Sequence, residues 1–131
     1  MKSLLIALLL AVSAVCHADP IVELKDMPQL VQEAKKGGPF VILFTAEWCG
    51  PCKIFHPVYE RLSKEMNVRF FTVDIDNPAM FQLAARIPGY PMVLVFNVPD
   101  PKKPEMTVCP AVDGAAPYEK AKANILKCLA Q

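Results

Sequence analysis

A continuous apolar run leads directly into two closely spaced cysteines in residues 40–53, which read FVILFTAEWCGPCK. Residues 40–44 show no alternation of polar and apolar side chains, which is typical of a strand buried on both faces of a parallel sheet. A helical pattern containing Pro57 follows from Cys49 to Met66. The cysteines therefore lie at a strand-to-helix junction, with Cys49 at the start of the helix and Cys52 one turn further on.

The spacing of these two cysteines indicates redox chemistry. A helix start presents unsatisfied N–H groups and a dipole that favour an anion, so it stabilises the nucleophilic thiolate of Cys49. Cys52, which is more enclosed, is the expected resolving thiol. A zinc site would need four ligands, and a purely structural disulfide with so short a loop would stabilise the fold little. We therefore favour a redox pair and expect no metal and no organic cofactor.

The N-terminal segment predicts export. Lys2 precedes an apolar run from Leu4 to Val15, which is too short to span a bilayer that needs about 20 helical residues. Cys16-His17-Ala18 fits a small-x-small cleavage site. We predict a signal peptide over residues 1–18 and a single domain over residues 19–131. The alternatives are an uncleaved N-terminal anchor and a lipoprotein acylated at the cysteine.

Length and composition exclude several classes of protein. A chain of 131 residues that is 53% hydrophobic is long enough for one domain and too apolar to be disordered. With 14 Lys and Arg against 13 Asp and Glu, the chain has too little net positive charge to attract nucleic acid or an anionic membrane. Cleavage after residue 18 removes one of the five cysteines. The remaining even number suits pairing in a compartment that permits disulfides.

Strands and helices alternate along most of the chain, which predicts an α/β fold. Early alternation implies parallel strands with helices on both faces of the sheet, and the last two strands are close enough to form a hairpin, so the central sheet should be mixed. The first predicted helix begins after Asp26 and ends before Gly37. The predicted strands are 21–24, 40–44, 68–73, 92–96 and 105–109, and the other predicted helices are 49–66, 78–86 and 117–129.

Three segments resemble the thioredoxin family. Residues 44–53 are similar to its active-site segment, residues 74–78 (DIDNP) to the segment after its next strand, and residues 87–96 (IPGYPMVLVF) to the loop and strand that carry its cis-proline. The resemblance covers most of residues 21–130 in order and spacing. It implies a thioredoxin fold, with a mixed central sheet and helices on both faces, and a protein thiol–disulfide oxidoreductase.

The resemblance also assigns roles to individual residues. It implies that Cys49 and Cys52 are catalytic and that Pro91 is the cis-proline, whose loop leaves the backbone of Tyr90 free to pair with an extended substrate. The alternative for Pro91 is a trans proline that opens the strand. The alternative for Trp48 is a side chain that only packs. The predicted substrate-binding residues are Trp48, Gly50, Pro51, Tyr90 and Pro91.

The chain departs from the family at two positions that matter for proton transfer. Thioredoxins usually bury an acid before the active site, where this chain has Leu43, and the family's nearby lysine corresponds to Thr72. The family's proton relay therefore does not carry over. We expect water, Glu47 or His56 to move the proton, because His56 lies four residues after the resolving cysteine on the same helical face. A solvated glutamate and a half-exposed helix histidine are the alternatives.

Cys109 and Cys128 form a second candidate pair. Cys128 lies on the apolar stripe of the last predicted helix, and Cys109 lies near the end of the last predicted strand. A helix that folds back along this strand brings the two positions near the distance limit for a disulfide. We predict a structural disulfide, with two buried free thiols as the alternative.

Two short motifs bear on the direction of the reaction, and the N-terminal segment bears on the cellular location. Gly50-Pro51 resembles the reducing members of the family, so we predict a disulfide reductase, whereas Gly89-Tyr90-Pro91 resembles protein disulfide isomerase domains and supports an oxidase or isomerase as the alternative. A non-enzymatic binding module is the alternative from another class. We expect a monomer that acts on protein or peptide disulfides and receives electrons from a thiol–disulfide donor. We do not expect it to bind nucleic acid or to stay inserted in a membrane after the signal is cleaved. A bacterial periplasm is the first expectation and secretion the second.

Overall fold

A computed structural model describes residues 21–103 and 105–131 as a five-stranded sheet with helices on both faces. The strands are β1 (Val22–Glu23), β2 (Gly38–Thr45), β3 (Arg69–Asp74), β4 (Met92–Val98) and β5 (Thr107–Asp113). The helices are α1 (Met27–Lys35), α2 (Gly50–Glu65), α3 (Phe81–Ala84) and α4 (Tyr118–Leu129). The predicted signal peptide over residues 1–18 lies outside the described residues and stays a prediction.

The sheet is mixed, as predicted from the sequence. The strand order is β1-β3-β2-β4-β5, in which β1, β3 and β2 are parallel. β4 is antiparallel to β2, and β5 is antiparallel to β4. The carboxyl ends of β2 and β3 therefore meet at one edge, where Thr45 pairs with Asp74, and the start of β4 reaches the same edge because Met92 pairs with Phe44.

Strand β2 lies at the centre of the sheet because both of its faces are buried. Val41 and Leu43 pack into one cluster with side chains of α2 and α4. Phe40, Ile42 and Phe44 pack into a second cluster on the other face, which includes residues of α1 and the segment around α3. Burying a side chain of this size contributes about 1.5–3 kcal/mol, so the apolar run anchors the strand that leads into the cysteine pair.

Helix α2 is fixed to the sheet by a buried tyrosine. Tyr59 is fully buried, and its hydroxyl lies 3.2 Å from the carbonyl oxygen of Val41 and 2.6 Å from that of Phe71. Burial raises the pKa of Tyr59 well above its ordinary value, so the side chain stays neutral. The helix, with Pro57 inside it, thus holds a set position over β2 and β3 and places its N-terminus at the edge where they end.

Two predicted elements need correction. The last strand extends over Thr107–Asp113 instead of ending at Cys109, because Pro110 sits opposite Leu94 at an irregularity in the pairing, where the proline's missing N–H is tolerated. The predicted helix over residues 78–86 is a 3₁₀ turn, Pro78–Met80, followed by α3. After Ala84 the backbone N–H groups of Arg86 and Ile87 bond the carbonyl oxygens three residues back, which is the 3₁₀ pattern common at the ends of α-helices.

Among the residues that the structure describes, no helix has the length and apolar character that a membrane span requires.

Candidate active site

The two cysteines of residues 49–52 are joined by a disulfide at the N-terminus of α2. Cys49 is the N-cap residue, and its Sγ accepts a hydrogen bond of 3.3 Å from the backbone N–H of Cys52. The Cα atoms are 5.2 Å apart, and the disulfide confirms the predicted pair. Cys49 is 5% exposed and Cys52 is fully buried. Gly50 and Pro51, the first two residues of the helix, are exposed beside them.

The loop before β4 packs against the disulfide. The Tyr90–Pro91 peptide bond is cis, as the resemblance implies, and Tyr90 contacts the buried cluster formed by Ala46 and the two cysteines. The Tyr90 hydroxyl lies 3.5 Å from the carbonyl oxygen of Ala84, at the end of α3. The structure therefore brings the predicted substrate-binding loop and the predicted redox pair together.

Trp48 is exposed next to the disulfide and is oriented by two contacts. Its side chain is 66% exposed, and its ring meets that of Tyr90 edge to face at a centroid distance of 6.4 Å. Its indole N–H donates a 2.7 Å hydrogen bond to Asp76 Oδ2. Sequence reasoning did not assign Asp76 a role. The signal was its position two residues after β3, since β2 and β3 are parallel and end at the same edge.

The two candidate proton carriers, Glu47 and His56, line one cavity of about 580 Å³. His56 Nε2 lies 3.0 Å from Thr45 Oγ1, at the end of β2. Thr72, which stands where the family has a lysine, also lines the cavity. The remaining lining residues are Glu23, Thr45, Ala46, Lys53 and Asp74. The cavity borders the first turn of α2 at Lys53.

Leu43 stands at the position where thioredoxins usually bury an acid, and its surroundings are apolar. It is fully buried, it packs in the apolar cluster beneath α2 and α4, and it pairs with Thr72 across β2 and β3. A charge in this cluster would lack a partner, so the leucine is the residue that suits its surroundings.

Cys109 and Cys128 are also joined by a disulfide, with their Cα atoms 5.7 Å apart. The bond connects β5 to the last turn of α4, on the face where α4 packs against the sheet. These cysteines are thus paired with each other and do not join Cys49 and Cys52 in one cluster. The described residues contain no group of three or more His, Cys, Asp or Glu side chains arranged to hold a metal.

Comparison with known proteins agrees with this geometry. The family model described as thioredoxin matches residues 22–124. The curated thioredoxin of Borreliella burgdorferi is 38% identical over 72 residues, which is 53% of this chain and 60% of that protein. The chain therefore spans less than two thirds of the length of this relative.

Solved structures show the same architecture. The thioredoxin of Trypanosoma brucei brucei superposes with a TM-score of 0.68 at 22% identity, covering 89% of this chain and 97% of that one. Thioredoxin Mala s 13 of Malassezia sympodialis superposes with a TM-score of 0.62 at 29% identity, covering 82% of this chain and 90% of that one. Because the family model covers most of the chain, this protein belongs to the thioredoxin family, and the predicted thioredoxin fold is confirmed.

Proposed function

We propose that this protein is an exported protein thiol–disulfide reductase that works as a monomer. One observation carries the proposal: the Cys49–Cys52 disulfide caps the N-terminus of α2 and touches the loop that carries Tyr90 and Pro91. Family membership supports the oxidoreductase class, and Gly50-Pro51 supports the reducing direction by resemblance. The signal-like residues 1–18 support export, to a bacterial periplasm first and by secretion second.

The substrate binds over Cys49, the one cysteine of the pair with any accessible surface. An extended protein or peptide segment pairs with the backbone of Tyr90 and lies against Pro91, which adds main-chain hydrogen bonds without requiring a particular sequence. Trp48 covers the segment from the other side, and the exposed Gly50 and Pro51 leave room for its approach. This arrangement presents the sulfur of the substrate to Cys49.

Reduction proceeds by two thiol–disulfide exchanges. The Cys49 thiolate attacks one sulfur of the substrate disulfide, so a mixed disulfide forms while the other substrate sulfur leaves as a thiolate and takes up a proton. Cys52 then loses its proton and attacks Cys49 Sγ. The second substrate thiol is released, and two electrons have passed from the protein to the substrate. A thiol–disulfide electron donor restores the reduced pair.

The proton of Cys52 leaves through the cavity beside α2. His56 lies on the helical turn after Cys52 and is held by Thr45 Oγ1, so it accepts this proton directly or through a water molecule. Glu47 lines the same cavity and is the alternative acceptor. The proposal thus replaces the family's buried acid with groups at the edge of the sheet.

Insulin reduction in the presence of a thiol donor tests the proposal. The wild-type protein and the Cys109→Ser/Cys128→Ser variant should accelerate reduction, and Cys49→Ser should abolish the acceleration. A protein that binds insulin and is unaffected by Cys49→Ser would be a binding module. Faster oxidation of reduced substrates than reduction of oxidised ones would instead identify an oxidase or isomerase.

A further inference from the structure

Two carboxylates lie near an aromatic pair at the cysteine site. Trp48 and Tyr90 meet edge to face. Asp76 is bonded to the Trp48 indole. Asp113 lies beside Gly89, which directly precedes Tyr90. Negative charge thus flanks the surface that receives the substrate.

Asp113 is held beside this loop by backbone contacts. It is the last residue of β5 and pairs with Met92, which directly follows Pro91. The next residue, Gly114, has a φ of +83° and donates its N–H to the carbonyl oxygen of Pro91 across 2.9 Å. A Cβ on Gly89 would lie 4.0 Å from Asp113 Oδ1. These backbone contacts therefore hold the carboxylate beside the proposed substrate-binding loop.

Within the described part of the chain neither carboxylate forms an ion pair, although Lys120 lines one cavity with Asp113. Among the described residues, no side-chain nitrogen of Lys, Arg or His lies within 4.0 Å of the Asp76 or Asp113 oxygens. Asp113 is exposed, and Asp76 bonds only a neutral indole among side chains. Both charges remain available to a cation brought by a binding partner.

The combination of acids and exposed rings fits one kind of side chain. A guanidinium group stacks on aromatic faces and also forms paired hydrogen bonds with a carboxylate. We propose that Asp113, beside the loop that carries Tyr90 and Pro91, makes the site select disulfide substrates that carry an arginine close to the reactive cysteine. This inference rests on the proposed function, since it assumes that the substrate lies along the Tyr90–Pro91 loop.

The expected preference is modest because the carboxylate is exposed. Ion pairs of this kind change a rate constant about two- to fivefold, and salt screens them. The preference should therefore appear in kcat/KM and shrink as the salt concentration rises. The two cysteines do the chemistry in either case, so a substrate without the arginine is still reduced.

Two disulfide-linked peptides test this inference. They are identical except for the residue next to one cysteine, which is arginine in the first peptide and glutamate in the second. Wild type should favour the arginine peptide about two- to fivefold in kcat/KM. Asp113→Asn should lose most of this preference, and Asp113→Glu should keep it. Glu105→Gln is the matched control for net charge. Glu105 is exposed and precedes the first residue of β5, whereas Asp113 is the last, so this variant should leave the preference unchanged.

The outcomes separate this inference from the proposed function. Equal kcat/KM for the two peptides in the wild type, or a preference that survives in Asp113→Asn, would overturn the role of Asp113 while the reductase proposal stands. A loss of the preference in both Asp113→Asn and Glu105→Gln would also overturn it, since the effect would then be one of overall charge. Failure of the wild type to reduce either peptide would overturn the proposed function and this inference with it.

Discussion

The indole N–H of Trp48 donates a 2.7 Å hydrogen bond to Asp76 Oδ2, which ties the residue before the redox pair to the segment after β3. The two residues are 28 positions apart, and the contact exists because the parallel strands β2 and β3 end at the same edge. Trp48 is two thirds exposed, so packing alone does not set its orientation. The hydrogen bond and the contact with Tyr90 do.

Asp76→Ala should therefore lower kcat/KM for a disulfide substrate about fivefold, the effect of roughly 1 kcal/mol from one exposed hydrogen bond. The chain contains a single tryptophan, so its fluorescence reports the change in surroundings directly. Glu60→Ala, which removes an exposed carboxylate from the middle of α2, is the control and should alter neither readout. An unchanged kcat/KM in Asp76→Ala would show that this hydrogen bond does not orient Trp48 for binding.

Replacing His56 should slow the resolving step. If His56 is the acceptor, Cys52 in His56→Gln gives its proton to bulk water or hydroxide, so the release of the second substrate thiol should be about tenfold slower near neutral pH and should recover as the pH rises. Thr45→Val, which removes the partner of the imidazole, should produce a smaller effect in the same direction. Single-turnover measurements across a pH series give this rate.

The charged groups around His56 provide the control for this prediction. Glu23 on β1, Glu47 before α2, Lys53 on α2 and Asp74 on β3 all line the same cavity. Glu23→Gln removes one of these charges without removing the base, and it should leave the shape of the pH profile intact. If His56→Gln shows the wild-type profile, His56 is not the proton acceptor, and Glu47→Gln becomes the variant to measure.

Tyr59→Phe should destabilise the fold by about 1–3 kcal/mol. The change removes a hydroxyl that lies within hydrogen-bond distance of the carbonyl oxygens of Val41 and Phe71, and it leaves a buried carbonyl without this partner. Chemical denaturation measures the loss. Tyr118→Phe is the matched control, because the Tyr118 hydroxyl bonds Glu65 at the surface and its removal should cost much less.

The same tyrosine predicts a loss of stability at alkaline pH. Burial raises the pKa of Tyr59 in the folded protein well above the value of about 10 in the unfolded chain. Below the pKa of the unfolded chain, both the folded and the unfolded state hold the proton, and the full stability is present. Above it the unfolded state loses the proton while the folded state keeps it, so stability falls as the pH rises. Tyr59→Phe should lack this component; an identical alkaline slope in both proteins would contradict the assignment.

Cys109→Ser/Cys128→Ser should lower the free energy of unfolding by about 3 kcal/mol while leaving disulfide reduction close to the wild-type rate. The bond closes a loop across 19 positions, and the loss of a cross-link of this length frees the unfolded chain. Mass spectrometry of the denatured wild type after selective reduction of the active site should find two alkylatable cysteines. Four would show that Cys109 and Cys128 are free thiols.

The parts of the molecule that were predictable from sequence are those encoded by local patterns. The run over residues 40–44 indicated a buried central strand because every side chain in it is apolar, and the cysteine spacing placed Cys49 at a helix start because the switch from strand to helix is visible there. The position of Pro91 followed from a resemblance in the loop around it. Each signal is contained within about ten residues.

The rest depended on contacts that form only when strands align. Asp76 lies against Trp48 because the parallel strands β2 and β3 end at the same edge, and Asp113 lies beside Gly89 because of the exact register between β4 and β5. No local pattern encodes such a pairing. The predicted end of the last strand, Cys109, was wrong for a related reason. An edge strand with an irregular hydrogen-bond ladder tolerates a proline such as Pro110, whereas a central strand does not.

The reduction potential of the Cys49–Cys52 pair tests the proposed reductase activity most directly. The Cys109→Ser/Cys128→Ser variant is the protein to use, because only one disulfide then contributes to the equilibrium with a glutathione or thioredoxin redox buffer. A reductase of this fold should give a value near that of thioredoxin, about −270 mV. A value near about −120 mV, which is typical of a strong disulfide oxidant, would contradict the reducing direction.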